Sequence, residues 1–322
     1  MVSFWERYPR LADGLEEVKR LILSQEIAED EGIRESVRML VESNGKMLRP
    51  GFVLLASLFG EPDADKMVRL AAAVELLHVA TLIHDDIIDE SLMRRGVPTL
   101  SARFGPRTAV LAGDSLFAAC FSLIAEHVGA EDARSLAQLV RRICGSEIDQ
   151  YRTRSAASVS LRRYLRRIAG KTAALFSVSL FAGARQSGCP DAVSVRLRRA
   201  GYCIGMGFQI MDDVLDVEGD AVVTGKPGGR DLLQGVVTLP VVLALKNDPD
   251  GRLAAALAMP RRSSRVVRNL ARMVGERGGV REARIAAGRY TDRALREISL
   301  LPASEPREIL AEVTTRLLSR RS

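Results

Sequence analysis

The sequence is poor in the residues on which several common chemistries depend. Of its 322 residues only four are cysteines and only three are histidines. The cysteines have no paired Cys-x-x-Cys spacing and lie among apolar or small residues, so we expect buried free thiols in a reducing compartment rather than disulfides or a zinc site. They are Cys120, Cys144, Cys189 and Cys203. The sequence shows no Ser-His-Asp arrangement, so it does not indicate a hydrolase of that kind.

Long hydrophobic runs are also absent. The longest stretch without a charged residue, 232–245, has 14 residues, whereas a helix that spans a bilayer needs about 20 apolar residues. The N-terminal Met-Val-Ser-Phe-Trp-Glu-Arg has charges where a secretory signal needs its apolar core. We therefore expect no transmembrane segment, a cytoplasmic protein and at most peripheral contact with a membrane.

Lysine is scarce, since only six of the 47 basic residues are lysines, and the net charge is +7. The surplus lies in residues 261–322, which contain 15 arginines and 7 acidic residues. That region has one aromatic residue, Tyr290, and its arginines recur with acids at helical spacing, which favours a solvated helix face over a nucleic-acid surface. We expect no nucleic-acid partner. Arg320 or Arg321 is a candidate for a contact to a phosphate.

Strand patterns are missing too, because nearly every segment has the helical period and no alternating β-branched run is bounded by hairpin turns. We predict an all-α protein, a single large helical domain over residues 1–322. Residues 67–84 are apolar almost all round and must form a buried helix. Helices are expected at roughly the following residues, with amphipathic helices after 262: 50–59, 67–92, 108–128, 133–152, 161–184, 194–217 and 236–246.

Two aspartate clusters carry the clearest chemical signal. Each follows an apolar helix with the spacing Asp-Asp-x-x-Asp, the second 127 residues after the first. They consist of Asp85, Asp86 and Asp89, and of Asp212, Asp213 and Asp216. Carboxylates in the last turn of a helix repel each other and face the negative end of its dipole, so the arrangement is costly unless cations bind. Oxygen ligands without His or Cys favour Mg²⁺, bound together with substrate phosphates. A single Asp-Asp-x-x-Asp sequence would fit a solvated helix end equally well.

Basic residues close to these clusters and to glycines are candidates for the remaining phosphate contacts. Lysine and arginine near a helix N-terminus suit an anion, and arginine suits bidentate contact with phosphate. The candidates are Lys46, Arg49, Arg94, Arg95, Lys171, Thr172 and Lys226. Singly, each would more often be a surface residue. His78, on the buried helix two turns before Asp86, is either a neutral core histidine or a hydrogen-bond partner of phosphate or substrate.

Together these residues resemble the trans-type polyprenyl diphosphate synthase family. The resemblance extends from residue 45 to residue 240 and rests on Gly-Lys-Met-Leu-Arg-Pro at 45–50, His-Asp-Asp-Ile-Ile-Asp-Glu-Ser-Leu-Met-Arg-Arg-Gly at 84–96 and Gln-Ile-Met-Asp-Asp-Val-Leu-Asp at 209–216. It implies an all-helical, usually homodimeric fold around a deep central cavity. It also implies Mg²⁺ as cofactor, three ions to an active site.

The resemblance implies two substrate sites for one head-to-tail condensation. An allylic diphosphate, farnesyl or geranylgeranyl, would bind through Mg²⁺ to the six aspartates, assisted by Arg94, Lys171, Thr172, Gln209 and Lys226. Isopentenyl diphosphate would be held by Lys46, Arg49, His78 and Arg95. Cations stabilise the departing diphosphate, an apolar wall keeps water from the allylic cation, and the isopentenyl double bond attacks it. No protein nucleophile is needed. The catalytic residues would be Asp85, Asp86, Asp89, Lys171, Asp212, Asp213 and Lys226, with Asp216 as a metal ligand only.

Product length depends on the helical turn before the first cluster. Ala80 and Thr81 are small, whereas short-chain members of the family usually have bulky residues here. The resemblance therefore implies a long product of about seven to nine isoprene units. Phe117 or Phe121 would then set the floor of the cavity, unless both are ordinary core residues.

One position departs from the family pattern, and several alternatives stay open. Many members have Gly-Lys-x-Thr-Leu-Pro, but residues 235–240 place Val236 where the lysine would stand. This sequence resembles that of the heptaprenyl and solanesyl branch of the family, and some heptaprenyl members require a small partner subunit.

Two alternatives to a long-chain synthase that acts alone are a short-chain synthase and the catalytic subunit of a heterodimer. Lys46, Arg49 and Arg95 argue against a head-to-head synthase or terpene cyclase, and the intact aspartates argue against a non-catalytic subunit.

Overall fold

The computed structural model describes residues 4–43, 45–94, 96–125, 130–153, 159–219, 229–259 and 263–318. The structure is 79% helical. Within the described ranges, the only strands are Met93–Arg94 and Val97–Pro98, which form an antiparallel pair. The prediction of an all-α protein is confirmed.

Fifteen α-helices and one π-helical turn account for most of the described residues. In chain order, the α-helices are α1 (Pro9–Leu23), α2 (Glu31–Glu42), α3 (Leu48–Ser57), α4 (Ala64–Ile88), α5 (Leu100–Ala125), α6 (Ala130–Arg152), α7 (Leu161–Ile168), α8 (Ala174–Gln186), α9 (Asp191–Glu218), α10 (Arg230–Gln234), α11 (Leu239–Lys246), α12 (Arg252–Leu257), α13 (Ser264–Glu276), α14 (Gly279–Ser299) and α15 (Glu305–Leu318). The π-helical turn, Ala169–Ala173, joins α7 to α8.

Contacts between residues group the chain into two compact units. Unit 1 contains Met1–Leu136 and Val178–Leu197, and unit 2 contains Ala137–Ser177 and Arg198–Ser322. The expectation of a single domain over residues 1–322 stays a prediction.

Unit 1 is built on α4, against which α1, α3 and α5 pack. The side chain of Asp63 accepts a hydrogen bond from the Lys66 backbone N–H and so caps the helix start. No glycine or proline interrupts residues 64–88, and the run from 71 to 77 is entirely buried. The predicted buried helix over residues 67–84 is therefore confirmed.

Two helices are long and apolar enough to cross a membrane when length and composition alone are considered. They are Ala64–Ile88, whose most apolar window is 61% buried, and Pro106–Ala125, whose window is 33% buried. Charged residues interrupt both helices, so neither contains a long charge-free run. The buried core helix of a soluble protein has the same length and composition. The absence of a transmembrane segment and the cytoplasmic location stay predictions.

Unit 2 has its own apolar core around α11, which contacts α7, α13 and α14. Tyr164, Met206, Val214 and Leu270 are among the buried residues of this core. Helix α14 begins at Gly279, where an added Cβ would overlap the carbonyl oxygen of Pro240. The absence of a side chain at residue 279 therefore permits the close packing of α14 against α11.

The cysteines follow the prediction only in part. All four are free thiols, and Cys120 and Cys189 are buried, but Cys144 is exposed and Cys203 is half-buried. The reason for the exposed thiol is the amphipathic character of α6, whose Leu139 and Ile143 are buried while the next position, 144, points outward.

Candidate active site

The first aspartate cluster lies where α4 ends. Asp89 is the residue that caps the helix, and its N–H donates to the Asp85 carbonyl at 2.8 Å. The next residue, Glu90, has a φ of 50°, which is uncommon for a residue other than glycine. This left-handed turn sends the chain into the short antiparallel strand pair, from which Arg94 returns to the helix end.

Arg94 and Asp86 form a nearly buried ion pair. The Nε atom of Arg94 lies 2.8 Å from both carboxylate oxygens of Asp86, and the two side chains are 16% and 6% exposed. A buried charge is tolerated when it is paired in this way. Asp85 and Asp89 remain half-exposed, one helical turn apart. The structure thus brings together four of the side chains predicted for the allylic site.

The ring of Phe117 lies beside the first cluster. It stacks on His84, with ring centroids 5.4 Å apart and an interplanar angle of 27°. The Nε2 atom of His84 also lies 3.4 Å from an Asp114 carboxylate oxygen. Phe121, one turn further along α5, is 43% exposed. The role of either phenylalanine as a floor for the product stays a prediction.

The two chain-length candidates differ in their environment. Ala80 is fully buried, so a larger side chain there must displace packed neighbours. Thr81 is half-buried, and its hydroxyl donates to the His78 carbonyl at 2.7 Å within the same helix. A larger side chain is therefore accommodated more readily at residue 81 than at residue 80.

Two residues predicted for the isopentenyl site contact each other directly. The Nη1 atom of Arg49 lies 3.0 Å from Nε2 of His78. Because a guanidinium has no acceptor, Nε2 of His78 must be the unprotonated nitrogen and accept this hydrogen bond. The histidine ring therefore orients the Arg49 guanidinium.

Lys46 is held through a residue that the sequence analysis did not select. The indole Nε1 of Trp5 donates to the Lys46 carbonyl at 2.7 Å, and the Lys46 Nζ lies 5.7 Å from the centre of the Phe4 ring. Trp5 is buried and packs over Gly51, where an added Cβ would overlap its ring. Trp5 is the single tryptophan of the chain, and this was the feature of the sequence that could have marked it. Its hydrogen-bond partner, Lys46, could not be predicted because it lies 41 residues away.

In unit 2, the second aspartate cluster belongs to a chain of hydrogen bonds. The Thr172 hydroxyl donates to Oε1 of Gln209 at 2.6 Å, and Nε2 of Gln209 donates to Oδ1 of Asp213 at 2.8 Å. The Tyr164 hydroxyl donates to Oδ2 of Asp213 at 2.6 Å. Three predicted residues are thereby joined, together with Tyr164, which the sequence analysis did not select.

Burial dominates the electrostatics at Asp213. Removal from water, together with the negative charge of Asp212, raises the pKa of Asp213 to about 6, although the bonds from Tyr164 and Gln209 lower it. Burial and the charge of Asp213 raise the pKa of Tyr164 well above its ordinary value. Tyr164 therefore stays a protonated donor at neutral pH.

Arg167 is a buried cation near the same cluster. It is 5% exposed, its Nη2 donates to the Val237 carbonyl at 2.6 Å, and its guanidinium lies 5.7 Å from the centre of the Tyr164 ring. Its positive charge lowers the pKa of Asp213, in opposition to the effect of burial. Arg167 was not among the predicted residues, although two adjacent arginines between Leu165 and Ile168 were the visible signal.

Lys171 and Thr172 lie in the π-helical turn. The Nζ of Lys171 is 2.7 Å from a Glu147 carboxylate oxygen. An added Cβ at Gly170 would overlap the Ser146 hydroxyl, so this turn passes close to α6. Turns of this type are frequent at functional sites, and here the turn presents two of the predicted residues.

Asp216 accepts hydrogen bonds from the backbone. Its two carboxylate oxygens accept hydrogen bonds from the N–H groups of Arg230 and Asp231, at 3.1 and 3.0 Å. It therefore anchors the segment that follows a glycine-rich stretch of the sequence, Gly-Lys-Pro-Gly-Gly at 225–229, for which we predict a loop. Lys226 in that loop, Arg95, Arg320 and Arg321 lie outside the described residues.

The carboxylates are not gathered into a preformed metal site. Among the described residues, no group of three or more His, Cys, Asp and Glu side chains is placed to hold a metal ion. The physical reason is visible at three of the aspartates, since Asp86 turns to Arg94, Asp213 to Tyr164 and Gln209, and Asp216 to backbone N–H groups. The donors are nevertheless all oxygen, and the half-exposed Asp85 and Asp89 share one helix face, which fits Mg²⁺.

The comparison with known proteins decides the family. The family model described as polyprenyl synthetase matches residues 30–274, which is about three quarters of the chain. The chain belongs to the polyprenyl synthetase family. Component 2 of the heptaprenyl diphosphate synthase of Geobacillus stearothermophilus is 37% identical over 95% of each chain.

Two solved structures of this family resemble the chain over nearly its whole length. The geranylgeranyl pyrophosphate synthase of Lactobacillus brevis is 35% identical, with a TM-score of 0.90 over 98% of this chain and 99% of its own. A polyprenyl synthase from Caulobacter crescentus, in complex with calcium and isoprenyl diphosphate, is 33% identical, with a TM-score of 0.90 over 97% of both chains. The predicted fold and family are thereby confirmed.

Proposed function

We propose that this polyprenyl synthetase condenses isopentenyl diphosphate with farnesyl or geranylgeranyl diphosphate, head to tail, to give a long all-trans polyprenyl diphosphate. The observation that carries the proposal is the Arg49–His78 pair, a second cationic group in unit 1 in addition to the Arg94–Asp86 pair at the aspartate cluster. An enzyme that binds one diphosphate has no use for a second cationic set. The head-to-head synthase and the cyclase fit these residues less well.

Different residues of the chain have different roles in the proposed reaction. When bound, Mg²⁺ supplies the charge that neutralises a departing diphosphate. In unit 1, the residues that would hold it are Asp85 and Asp89, which are half-exposed on one helix face. In unit 2, a further candidate ligand is Asp213, which is oriented by Tyr164 and Gln209. Lys171 adds a positive charge that Glu147 keeps in place. Three ions to an active site belong to this proposal.

Arg94 and Arg49 complete the charge balance at the two phosphate sites. Arg94 holds Asp86 through Nε, which leaves its Nη atoms as further donors suited to phosphate oxygens. Arg49 has its guanidinium oriented by His78. We assign Arg94 to the allylic diphosphate and Arg49, with Lys46, to isopentenyl diphosphate.

A product of about seven to nine isoprene units is the second part of the proposal. Support comes from the small Ala80 and Thr81 and from the similarity to a heptaprenyl diphosphate synthase component. A short-chain product is the alternative, because the similar Lactobacillus structure is named a geranylgeranyl pyrophosphate synthase.

We further propose that the chain forms a homodimer. Exposed apolar side chains on α5 support this, since Leu111 is 69% exposed, Phe121 43% and Val110 39%. Such residues favour burial against a second copy. The name "component 2" of the Geobacillus relative supports the alternative of a small partner subunit.

One assay tests the reaction, the product and the need for a partner. The purified chain is incubated alone with Mg²⁺, isopentenyl diphosphate and a series of allylic primers, and the products are identified by mass spectrometry. Consumption of isopentenyl diphosphate with long products supports the proposal. Products of three or four units contradict the chain length, and no consumption by the chain alone contradicts the homodimer. Release of diphosphate without use of isopentenyl diphosphate contradicts the reaction itself.

A further inference from the structure

Five arginines line a concave pocket of about 490 Å³ in unit 2. They come from three helices, α6, α9 and α14, and are Arg142, Arg198, Arg199, Arg293 and Arg296. One carboxylate, that of Glu297, shares the lining. The pocket therefore has a large excess of positive charge, which none of the roles assigned above uses.

The spacing of these residues directs them to one place. On α14, residues 293, 296 and 297 are three and four positions apart and share a helix face. On α9, Arg198 and Arg199 are followed one turn later by Tyr202 and Cys203, which also line the pocket. Two helices thus turn their arginine-bearing faces towards the same space. Two exposed arginines of residues 261–322, Arg293 and Arg296, therefore share one concave site with arginines of α6 and α9.

Most of this positive charge has no carboxylate partner. In the part of the chain that the structure describes, Arg142, Arg199, Arg293 and Arg296 make no ion pair within 4.0 Å. Like charges that converge without counter-charges repel each other, at a cost that rises as water is excluded. A bound anion removes that cost.

All five arginines of the pocket are exposed, whereas Ser177, Cys203 and Glu297 in its lining are half-buried. Tyr202 is 38% exposed, and burial raises the pKa values of Tyr202 and Cys203, while the positive charge of Arg293 lowers both. Because the arginines remain in contact with water and salt, the attraction of each for an anion is screened, and the total depends on how many of them reach the anion. Five guanidinium groups from three helices at one concave site therefore hold an anion more tightly than arginines spread along a single helix.

We propose that this pocket binds a phosphate-bearing oligoanion, either free in solution or as the headgroup of an anionic phospholipid. The planar fork of a guanidinium matches two phosphate oxygens, and five such groups match a ligand with several charges. The volume falls within the range of roughly 300–1,000 Å³ that is usual for small-molecule sites.

The test uses two matched pairs of substitutions on one helix. Arg293→Gln with Arg296→Gln removes two charges from the pocket, and Arg281→Gln with Arg289→Gln removes two from exposed positions of α14 outside it. Both pairs leave the residues assigned to the reaction untouched, so circular dichroism and synthase activity check the fold. Binding of radiolabelled inorganic diphosphate is measured by equilibrium dialysis in EDTA, which suppresses magnesium-dependent binding. Sedimentation with vesicles of phosphatidylglycerol and phosphatidylcholine, against pure phosphatidylcholine, forms the second arm.

For a free anion, we expect the pocket pair to weaken diphosphate binding roughly tenfold or more, because each lost charge-assisted bond is worth over a kilocalorie per mole. The exposed pair should bind as the unchanged protein does. For a lipid headgroup, only the pocket pair should lose sedimentation with the anionic vesicles. Equal effects of both pairs, or no effect of either in both arms, would overturn the proposal and leave only diffuse surface charge.

Discussion

The hydroxyl of Tyr164 donates a 2.6 Å hydrogen bond to Asp213 in an interior where both side chains are almost completely buried. The tyrosine occupies one carboxylate oxygen, and Gln209 occupies the other. Asp213 can therefore present only its remaining lone pairs, in a fixed direction. The position of a proposed metal ligand depends here on Tyr164, a residue that has no assigned contact with substrate.

Replacement of Tyr164 by phenylalanine should reduce kcat about tenfold, because a hydrogen bond to a charged group contributes about 1.5–3 kcal/mol. The half-saturating Mg²⁺ concentration should rise as well, since Asp213 loses its fixed orientation. Steady-state assays over a Mg²⁺ series measure both quantities. Tyr151→Phe, at a position that is 61% exposed, is the control. An unchanged Mg²⁺ dependence would show that Tyr164 only supports the fold.

Arg167 offers a way to test how the chain works without a lysine at position 236. Its bond to the Val237 carbonyl places a buried positive charge beside the residue that replaces this lysine. Arg167→Met should lower kcat and the melting temperature, because it removes the charge and leaves the carbonyl without this donor. Arg167→Lys should retain more activity than Arg167→Met.

A second substitution separates the charge of Arg167 from its packing. If the charge matters, the double variant Arg167→Met with Val236→Lys should be more active than Arg167→Met alone. Steady-state rates of the three variants, with thermal melts as a check on the fold, provide the measurement. A double variant that is folded and no more active than Arg167→Met would exclude this compensation.

The fold and half of the site could be predicted because their signals are local. Helix α4 was expected at 67–92 and extends over Ala64–Ile88, since its apolar period and the following aspartates are contiguous in sequence. The expected helix over 161–184 is instead interrupted by the π-helical turn at Ala169–Ala173. That turn lies against Ser146, so its cause is a tertiary contact that no local pattern reveals.

The residues that were not predicted form contacts with residues that are distant in the sequence. Tyr164 and Asp213 are 49 residues apart, and Arg167 and Val237 are 70 apart. The helical period relates residues three or four positions apart, so it reveals neither of these contacts. The contacts of the proposed metal ligands could not be predicted, because Asp86, Asp213 and Asp216 accept hydrogen bonds from donors that the composition does not reveal.

Product length should be controlled at Thr81 more cleanly than at Ala80. Ala80 is fully buried, so Ala80→Phe should shorten the product only with a loss of stability, since overpacking costs about 1–3 kcal/mol. Thr81→Phe should shorten the product with less loss. Mass spectrometry of the products and thermal melts test both, with Thr81→Ala as the control. A product of unchanged length from a folded Thr81→Phe variant would contradict this role.

The four thiols should react at very different rates. Burial raises the pKa of Cys120 to about 12, so its reactive thiolate is almost absent near neutral pH, whereas Cys144 is exposed. A short treatment with iodoacetamide at pH 7.5 should label Cys144 and spare Cys120, and labelling in denaturant should reach all four. Peptide mass spectrometry measures each site. Labelling of Cys120 as fast as Cys144 in the native protein would contradict its burial.

Gly51 tests whether the N-terminal segment positions Lys46. An added methyl group at residue 51 overlaps the ring of Trp5, whose indole N–H holds the Lys46 carbonyl. Gly51→Ala should therefore displace Trp5 and raise the KM for isopentenyl diphosphate more than it lowers kcat, while the KM for the allylic primer changes little. Gly145→Ala is the matched control, since no atom lies within 4 Å of the added group in the exposed middle of α6. Equal increases in both KM values would show that the substitution loosens unit 1 in general, and the specific link from Trp5 to Lys46 would then be wrong.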